Sequence, residues 1–215
     1  PVLIYVHGGG FVQGARTLPG PFADNIMNWA VSQNIVGVAM TYKLAPMHQW
    51  PSGPDDIATA IDYLIEEIAA FGGDPSKMIL MGTSAGGVHV GAYIARFEAG
   101  EYEQTPLVGS VLVSGMYDFR QIAPYPALFT YFGDDYDPAA VSSFDGIEAA
   151  ALPILTSISE FDPDRFQSQG QLLGDLENVR FVLLEGHNHY SSELSIGLEG
   201  AVLPAEMAEF IAQFR

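Results

Sequence analysis

Six short runs of aliphatic and β-branched residues recur along the chain, at Val2–Val6, 35–42, 78–82, 108–114, Ile154–Ser159 and 179–185. They are apolar almost throughout instead of alternating apolar with polar residues. A strand with one face in water shows a two-residue alternation, so unbroken runs point to strands buried on both faces, as in a parallel sheet covered by helices. Segments between the runs carry the helical period. In 55–71, Ile57, Ala60, Ile61, Leu64, Ile65 and Ile68 make one stripe that stops before Gly72-Gly73. Helices are also expected over 85–97 and 205–214. This order predicts an α/β fold, a mostly parallel and doubly wound sheet with helices on both faces in three αβα layers.

A chain of 215 residues suits one such domain, and 1–215 is read as a single unit. The segment 116–150 departs from the pattern. It is rich in Tyr, Phe, Pro, Asp and Gly, has no clean period, and is long for a connection, which marks it as a lid or pocket loop. Pro1 leads straight into an apolar run with no initiator Met, so a further N-terminal segment is expected upstream.

Composition removes several classes of function. There is no cysteine, hence no disulfide, thiolate nucleophile or Cys-based zinc site. No apolar run reaches the roughly 18–20 residues of a membrane span, so a soluble protein is expected, with the cytoplasm as the favoured compartment. The 26 acidic and 8 basic residues give a net charge of −18. Such a surface repels phosphate backbones and anionic headgroups, and nucleic-acid binding is not expected. The charge is read first as a solubility device. A sharper reading is a field that disfavours anionic substrates.

The most informative segment is Gly82-Thr83-Ser84-Ala85-Gly86, which follows an apolar run and opens a helical one. Gly-x-Ser-x-Gly between a strand and a helix is the setting of a nucleophilic serine on a sharp turn. The glycines let the chain double back, and the helix N-terminus faces developing negative charge. A plain small-residue turn is the structural alternative. His7-Gly8-Gly9-Gly10 directly follows the first run. Three glycines in a row are costly for a simple turn, and their use would be to bring backbone N–H groups close to an acyl oxygen. The loop lacks both the Lys-Ser/Thr ending of a P-loop and the Gly-x-Gly-x-x-Gly spacing of a dinucleotide site.

A serine needs a histidine base, and the base usually needs a carboxylate to orient it. Among five histidines, His7 belongs to the glycine loop, His48 to the loop 44–51, and His89 to the helix after Ser84 as a packing or surface residue. His187 and His189 follow the last apolar run. His189 is favoured because Gly186-x-x-His189-Tyr190 has the form of a C-terminal histidine loop. For the acid, Asp162 lies just beyond a strand end, on the same rim as the serine. Glu160 and Asp164 stand in reserve, one of them as a helix cap, and Asp118 is a weaker candidate.

These motifs together resemble the hormone-sensitive-lipase-like esterases, also called bacterial family IV, of the α/β-hydrolase superfamily. The resemblance covers nearly the whole chain: the His7–Gly10 loop, the Gly-Thr-Ser-Ala-Gly turn, Glu160-Phe161-Asp162-Pro163 and His189. Between the first two, Tyr42-Lys43-Leu44-Ala45-Pro46 with Trp50-Pro51 and Asp55-Asp56 is similar to the family's YRLAPEHPFP…D segment. It departs at Met47, where the family has an acidic residue, and at Asp164, where it has leucine. His189-Tyr190 stands in place of His-Gly-Phe and is similar to the formamidase relatives. The family's N-terminal cap helices have no counterpart in 1–215.

The resemblance implies an α/β-hydrolase fold and a carboxylesterase acting on short-to-medium acyl esters. It implies Ser84, His189 and Asp162 as triad and the amides of Gly9, Gly10 and Ala85 as oxyanion donors. No metal or organic cofactor is required. The stretch 117–136, with Phe11, is expected to wall an apolar acyl or alcohol pocket. The alternatives are a formamidase or other amidase using the same triad, and a non-catalytic relative that binds a ligand.

Overall fold

In the computed structural model, which describes residues 1–18, 20–103 and 105–215, six strands form one parallel sheet. They are β1 (Val2–Val6), β2 (Val36–Met40), β3 (Met78–Thr83), β4 (Leu107–Val113), β5 (Ile154–Ser159) and β6 (Val179–Leu184), in the order β2-β1-β3-β4-β5-β6. Each coincides with an apolar run to within a residue or two. β1, β3 and β5 are buried along their whole length, which is why their sequences show no alternation.

Successive residues nevertheless serve different cores. Val2, Ile4, Val6 and Leu80 point to one face and pack against Ile57, Ile61 and Leu64 of α2 (Ser52–Glu67) and Val90 and Ile94 of α3 (Ala85–Glu98). Leu3, Tyr5, Ile79 and Met81 point to the other. They meet Ile26 and Trp29 of α1 (Asp24–Ser32) and Leu203, Met207 and Phe210 of α9 (Val202–Ala212). Two hydrophobic layers thus clamp the sheet, the three-layer αβα arrangement expected.

Boundaries differ where chain chemistry is ambiguous. The 55–71 stripe divides into α2 and a 3₁₀ turn, Ile68–Phe71, closed by Gly72 at φ 83°. Helix α9 begins ahead of Pro204 instead of after it, since proline is tolerated in a first turn where its missing N–H has no partner to lose. Segment 116–150 is not an open loop. It folds into a 3₁₀ turn (Phe119–Gln121) and the short helices α4 (Pro126–Phe132), α5 (Pro138–Val141) and α6 (Phe144–Ala149). Its Phe119, Leu128, Tyr131 and Phe132 are buried in a third cluster with Phe11, Ala45, Ala85 and Val88. The remaining helices, α7 (Asp164–Gly174) and α8 (Ser191–Leu194), follow β5 and β6.

All six strands run the same way, so their C-terminal ends share one rim. There the loops after β1, β3, β5 and β6 converge. Contact between the first two is backbone on backbone. A Cβ at Gly86 would strike the Val6 carbonyl oxygen, and one at Gly82 would strike the Gly86 carbonyl. No rotamer change relieves a clash with main chain. Gly86→Ala is therefore expected to lower stability by about 3 kcal/mol, read as a reduced urea midpoint. A midpoint within error of the wild type would mean that β1 and α3 can separate freely.

Candidate active site

Ser84 stands between β3 and α3 with φ 52° and ψ −119°, a conformation that L residues rarely adopt. Its own amide donates to the Val113 carbonyl of β4 at 2.8 Å, fixing the turn to the neighbouring strand. The side chain is thereby lifted off the sheet at the start of a helix whose first amides have no intrahelical acceptor. Gly8 of the glycine loop approaches from β1. A Cβ there would lie 3.3 Å from the Ser84 Cβ.

The glycine loop needs its glycines for conformation as well as space. Gly9 sits at φ 127°, with the Gln13 carbonyl where a Cβ would be, and Gly10 at φ 59°. The Gly9 carbonyl accepts from the amides of Val12 (3.3 Å) and Gln13 (3.1 Å), closing the loop on itself. The amides of Gly9, Gly10 and Ala85 donate to no acceptor among the described residues. His7 supports the loop from below: its Nδ1–H donates to the Gly8 carbonyl at 2.7 Å, and its ring stacks on Tyr42 at 4.4 Å. The Tyr42 hydroxyl in turn donates to the His7 carbonyl at 3.0 Å. Burial pushes His7 below its ordinary value, against the pull of the Gly8 bond.

His189 reaches Ser84 from the far side of the sheet. Ser84 Oγ and His189 Nε2 are 2.8 Å apart, and His189 Nδ1 is 2.7 Å from Asp162 Oδ1. A carboxylate can only accept, so Nδ1 carries the proton and Nε2 turns a lone pair to the serine hydroxyl. The other oxygen of Asp162, Oδ2, accepts from the Ser114 hydroxyl at 2.6 Å and the Ser159 amide at 2.8 Å. Burial raises the Asp162 carboxyl, but the bonds from His189, Ser114 and Ser159 outweigh it and hold it below the ordinary 3.8. Phe166 lies against the imidazole at a centroid distance of 4.4 Å, and the mostly covered ring is edged by Tyr190 at 5.7 Å.

The other candidates are engaged elsewhere. His187 pairs its Nδ1 with Ser191 Oγ at 3.1 Å, and its carbonyl accepts from the Phe161 amide at 2.9 Å. Glu160 accepts from the Gly186 amide at 2.7 Å, and exposed Asp164 opens α7. Asp118 caps the 3₁₀ turn, accepting from the Arg120 amide at 3.1 Å and from Arg120 Nε at 2.6 Å. His89 is completely buried, edge-on to Tyr42 at 4.3 Å, and burial pushes it down to about 3. Ser114, Ser159 and Phe166 are the site residues that the sequence did not single out. Nothing in the local pattern marks them. Among the described residues no group of three His, Asp or Glu could hold a metal ion, and no helix is long and apolar enough to cross a membrane.

Residues 3–163 match a family described as α/β hydrolase fold. Carboxylesterase NlhH of Mycobacterium tuberculosis is 38% identical over 112 residues, which is 52% of this chain and 34% of that protein. Esterase LipC of the same organism is 33% identical over 141 residues, 61% of this chain and 34% of its own length. The chain therefore spans about a third of the length of these curated relatives. A solved α/β hydrolase from the metagenome of Lake Arreo, Spain, superposes with a TM-score of 0.80 at 21% identity, covering 100% of this chain and 74% of that one. Strand order, the Ser84 turn, the glycine loop and these likenesses agree: the chain belongs to the α/β-hydrolase superfamily, among its hormone-sensitive-lipase-like members.

Proposed function

We propose that the protein is a carboxylic ester hydrolase in which Ser84 attacks short-to-medium acyl esters and passes through an acyl-enzyme. The observation that carries this is the unbroken run of hydrogen bonds from Ser84 Oγ through His189 to Asp162. In the first half-reaction His189 Nε2 takes the serine proton as Oγ bonds to the acyl carbon. Asp162 keeps Nδ1–H in place and stabilises the imidazolium that forms. The carbonyl oxygen becomes an oxyanion, and the amides of Gly9, Gly10 and Ala85 are the donors assigned to it. Each such donor is worth roughly 3 kcal/mol in the transition state. The imidazolium then protonates the departing alkoxide. In the second half, water loses a proton to His189 and attacks the acyl-serine, and Ser84 is regenerated.

Met116, Phe119 and the rings of Phe11, Tyr131 and Phe132 cluster with Ala85. We assign this side of the rim, built from 116–150, to the apolar part of the substrate. NlhH and LipC, named for ester hydrolysis, support the same reading. One feature favours a formamide substrate instead: the aromatic Tyr190 directly after His189.

Steady-state hydrolysis of p-nitrophenyl acetate and butyrate, with N-formylkynurenine in parallel, tests the assignment. Ser84→Ala and His189→Ala should each lower kcat by about 10⁴-fold or more, while His187→Ala keeps the wild-type rate within a few fold. An active Ser84→Ala enzyme would remove the proposed nucleophile, and a preference for the formamide would move the substrate class. Asp162→Asn should cost about 10⁴-fold in kcat, because an amide can hold the wrong tautomer.

The low-lying Asp162 carboxyl also predicts an acid-stability effect. A folded-state value below 3.8 stabilises the fold wherever the unfolded chain is already ionised, and that contribution is lost as pH falls through the folded-state value. The stability advantage of wild type over Asp162→Asn should therefore shrink as pH falls below about 4, followed by urea unfolding. A constant advantage would mean that the carboxyl is not held low.

A further inference from the structure

Behind the nucleophile turn lies a polar cluster that the reaction above leaves unused. Helix α8 follows His189, and its Glu193 reaches under β3. The buried Tyr5 hydroxyl donates to Glu193 Oε1 at 2.6 Å, and the Thr83 hydroxyl donates to Oε2 at 2.8 Å. The two hydroxyl oxygens stand 3.1 Å apart. Two hydroxyls supply two protons, and a carboxylate that accepts both leaves none for the third contact, which is the longest of the three. Burial pushes the Glu193 carboxyl up, and the bonds from Tyr5 and Thr83 pull it partly back.

Largely removing a carboxylate from water is unfavourable, and apolar residues of similar volume would fill the space more cheaply. What the carboxylate does here is join three segments. Tyr5 is on β1, two residues before His7. Thr83 adjoins Ser84. Glu193 is four residues after His189. Other hydrogen bonds of the histidine loop run to the turn after β5: Gly186 to Glu160, Phe161 to the His187 carbonyl, and His189 to Asp162. Asn25 Nδ2 fixes the backbone of α8 to α1 by donating to the carbonyls of Glu193 (2.8 Å) and Ile196 (3.0 Å). Among the described residues, and apart from the Ser84 contact itself, the hydrogen-bonded link from this loop to β1 and β3 runs through the Glu193 carboxylate, beside the apolar packing of Ile196 on Leu3, Tyr5, Ile79 and Met81.

We propose that Glu193 is a positioning residue: through Tyr5 and Thr83 it sets the spacing between the glycine-loop strand, the nucleophile turn and the His189 loop. The inference rests on the ester-hydrolase reading, which supplies its readout. Loss of the bracket lets the base shift relative to Ser84, and a misplacement of about 1 Å costs on the order of 100-fold in rate.

The test compares wild type with Glu193→Ala, Glu193→Gln, Thr83→Val and Tyr5→Phe. Three quantities are measured: p-nitrophenyl butyrate kinetics, the rate of fluorophosphonate labelling, and Tm. Glu193→Ala should lower kcat by about 100-fold with KM changed less than about twofold, and labelling should slow in proportion. Glu193→Gln has the same shape, accepts from one hydroxyl and donates to the other, and should stay within about tenfold of wild type. Thr83→Val combined with Glu193→Ala should cost no more than Glu193→Ala alone, since the groups act as one unit. A Glu193→Ala enzyme with a lowered Tm but wild-type kcat overturns the proposal. If that variant fails to fold, wild-type kcat in both Tyr5→Phe and Thr83→Val overturns it equally. A wild type inert to esters and probe alike brings down the ester reading and this one with it, whereas an active wild type matched by Glu193→Ala brings down this one alone.

Discussion

The site depends on how closely the end of β1 approaches the start of α3. Gly8, Gly82 and Gly86 bring main chain against main chain, and there is no side-chain layer between them to absorb a displacement. This contact puts the glycine loop over Ser84 and forces the serine into its left-handed conformation. Backbone strain at one residue is of order 1–3 kcal/mol, and it persists because both cores and the Ser84–Val113 hydrogen bond hold the flanking segments.

Polar support on the histidine side has a different character. Asp162 is buried, yet both its oxygens accept hydrogen bonds, from His189, Ser114 and the Ser159 amide, so its charge is compensated locally instead of by solvent. The imidazole is fixed at one nitrogen by this carboxylate and along one face by Phe166. The Nε2 lone pair is left facing the Ser84 hydroxyl. Ser84 and His189 thus reach their positions by unlike means, one by steric closure of the backbone and the other by directed hydrogen bonds.

The strands were legible because burial on both faces removes any need for polar residues, and Val2–Val6 or Ile154–Ser159 can then be read as single units. The nucleophile turn and the glycine loop were legible because each is a local pattern. Ser114, Tyr5 and Glu193 were not, because their partners lie 48 and 188 residues away and a lone serine, tyrosine or glutamate carries no pattern. Helix α1 gave no start signal, since Ala23 at its N-terminus offers no capping side chain. The order within 116–150 was hidden by length. Helices of 7, 4 and 6 residues are too short for a periodic stripe to emerge. His187 and His189 differ in sequence only in spacing and in the aromatic neighbour, and in the folded chain one pairs with Ser191 and the other with Ser84 and Asp162.

The division between rim and layers has an evolutionary consequence. The two cores that clamp the sheet are built mainly by the strands and by α1, α2, α3 and α9, and the excursion 116–150 joins one of them through Tyr117 and Ile147 while its other aromatic residues pack as a cluster of their own beside Ser84. Changes at Phe119, Leu128 or Phe132 fall within that cluster, whereas Tyr117 and Ile147 tie the excursion to the core under the sheet. The architecture is thereby modular only in part: the aromatic cluster can be rebuilt while the sheet and the Ser84 turn stay where they are.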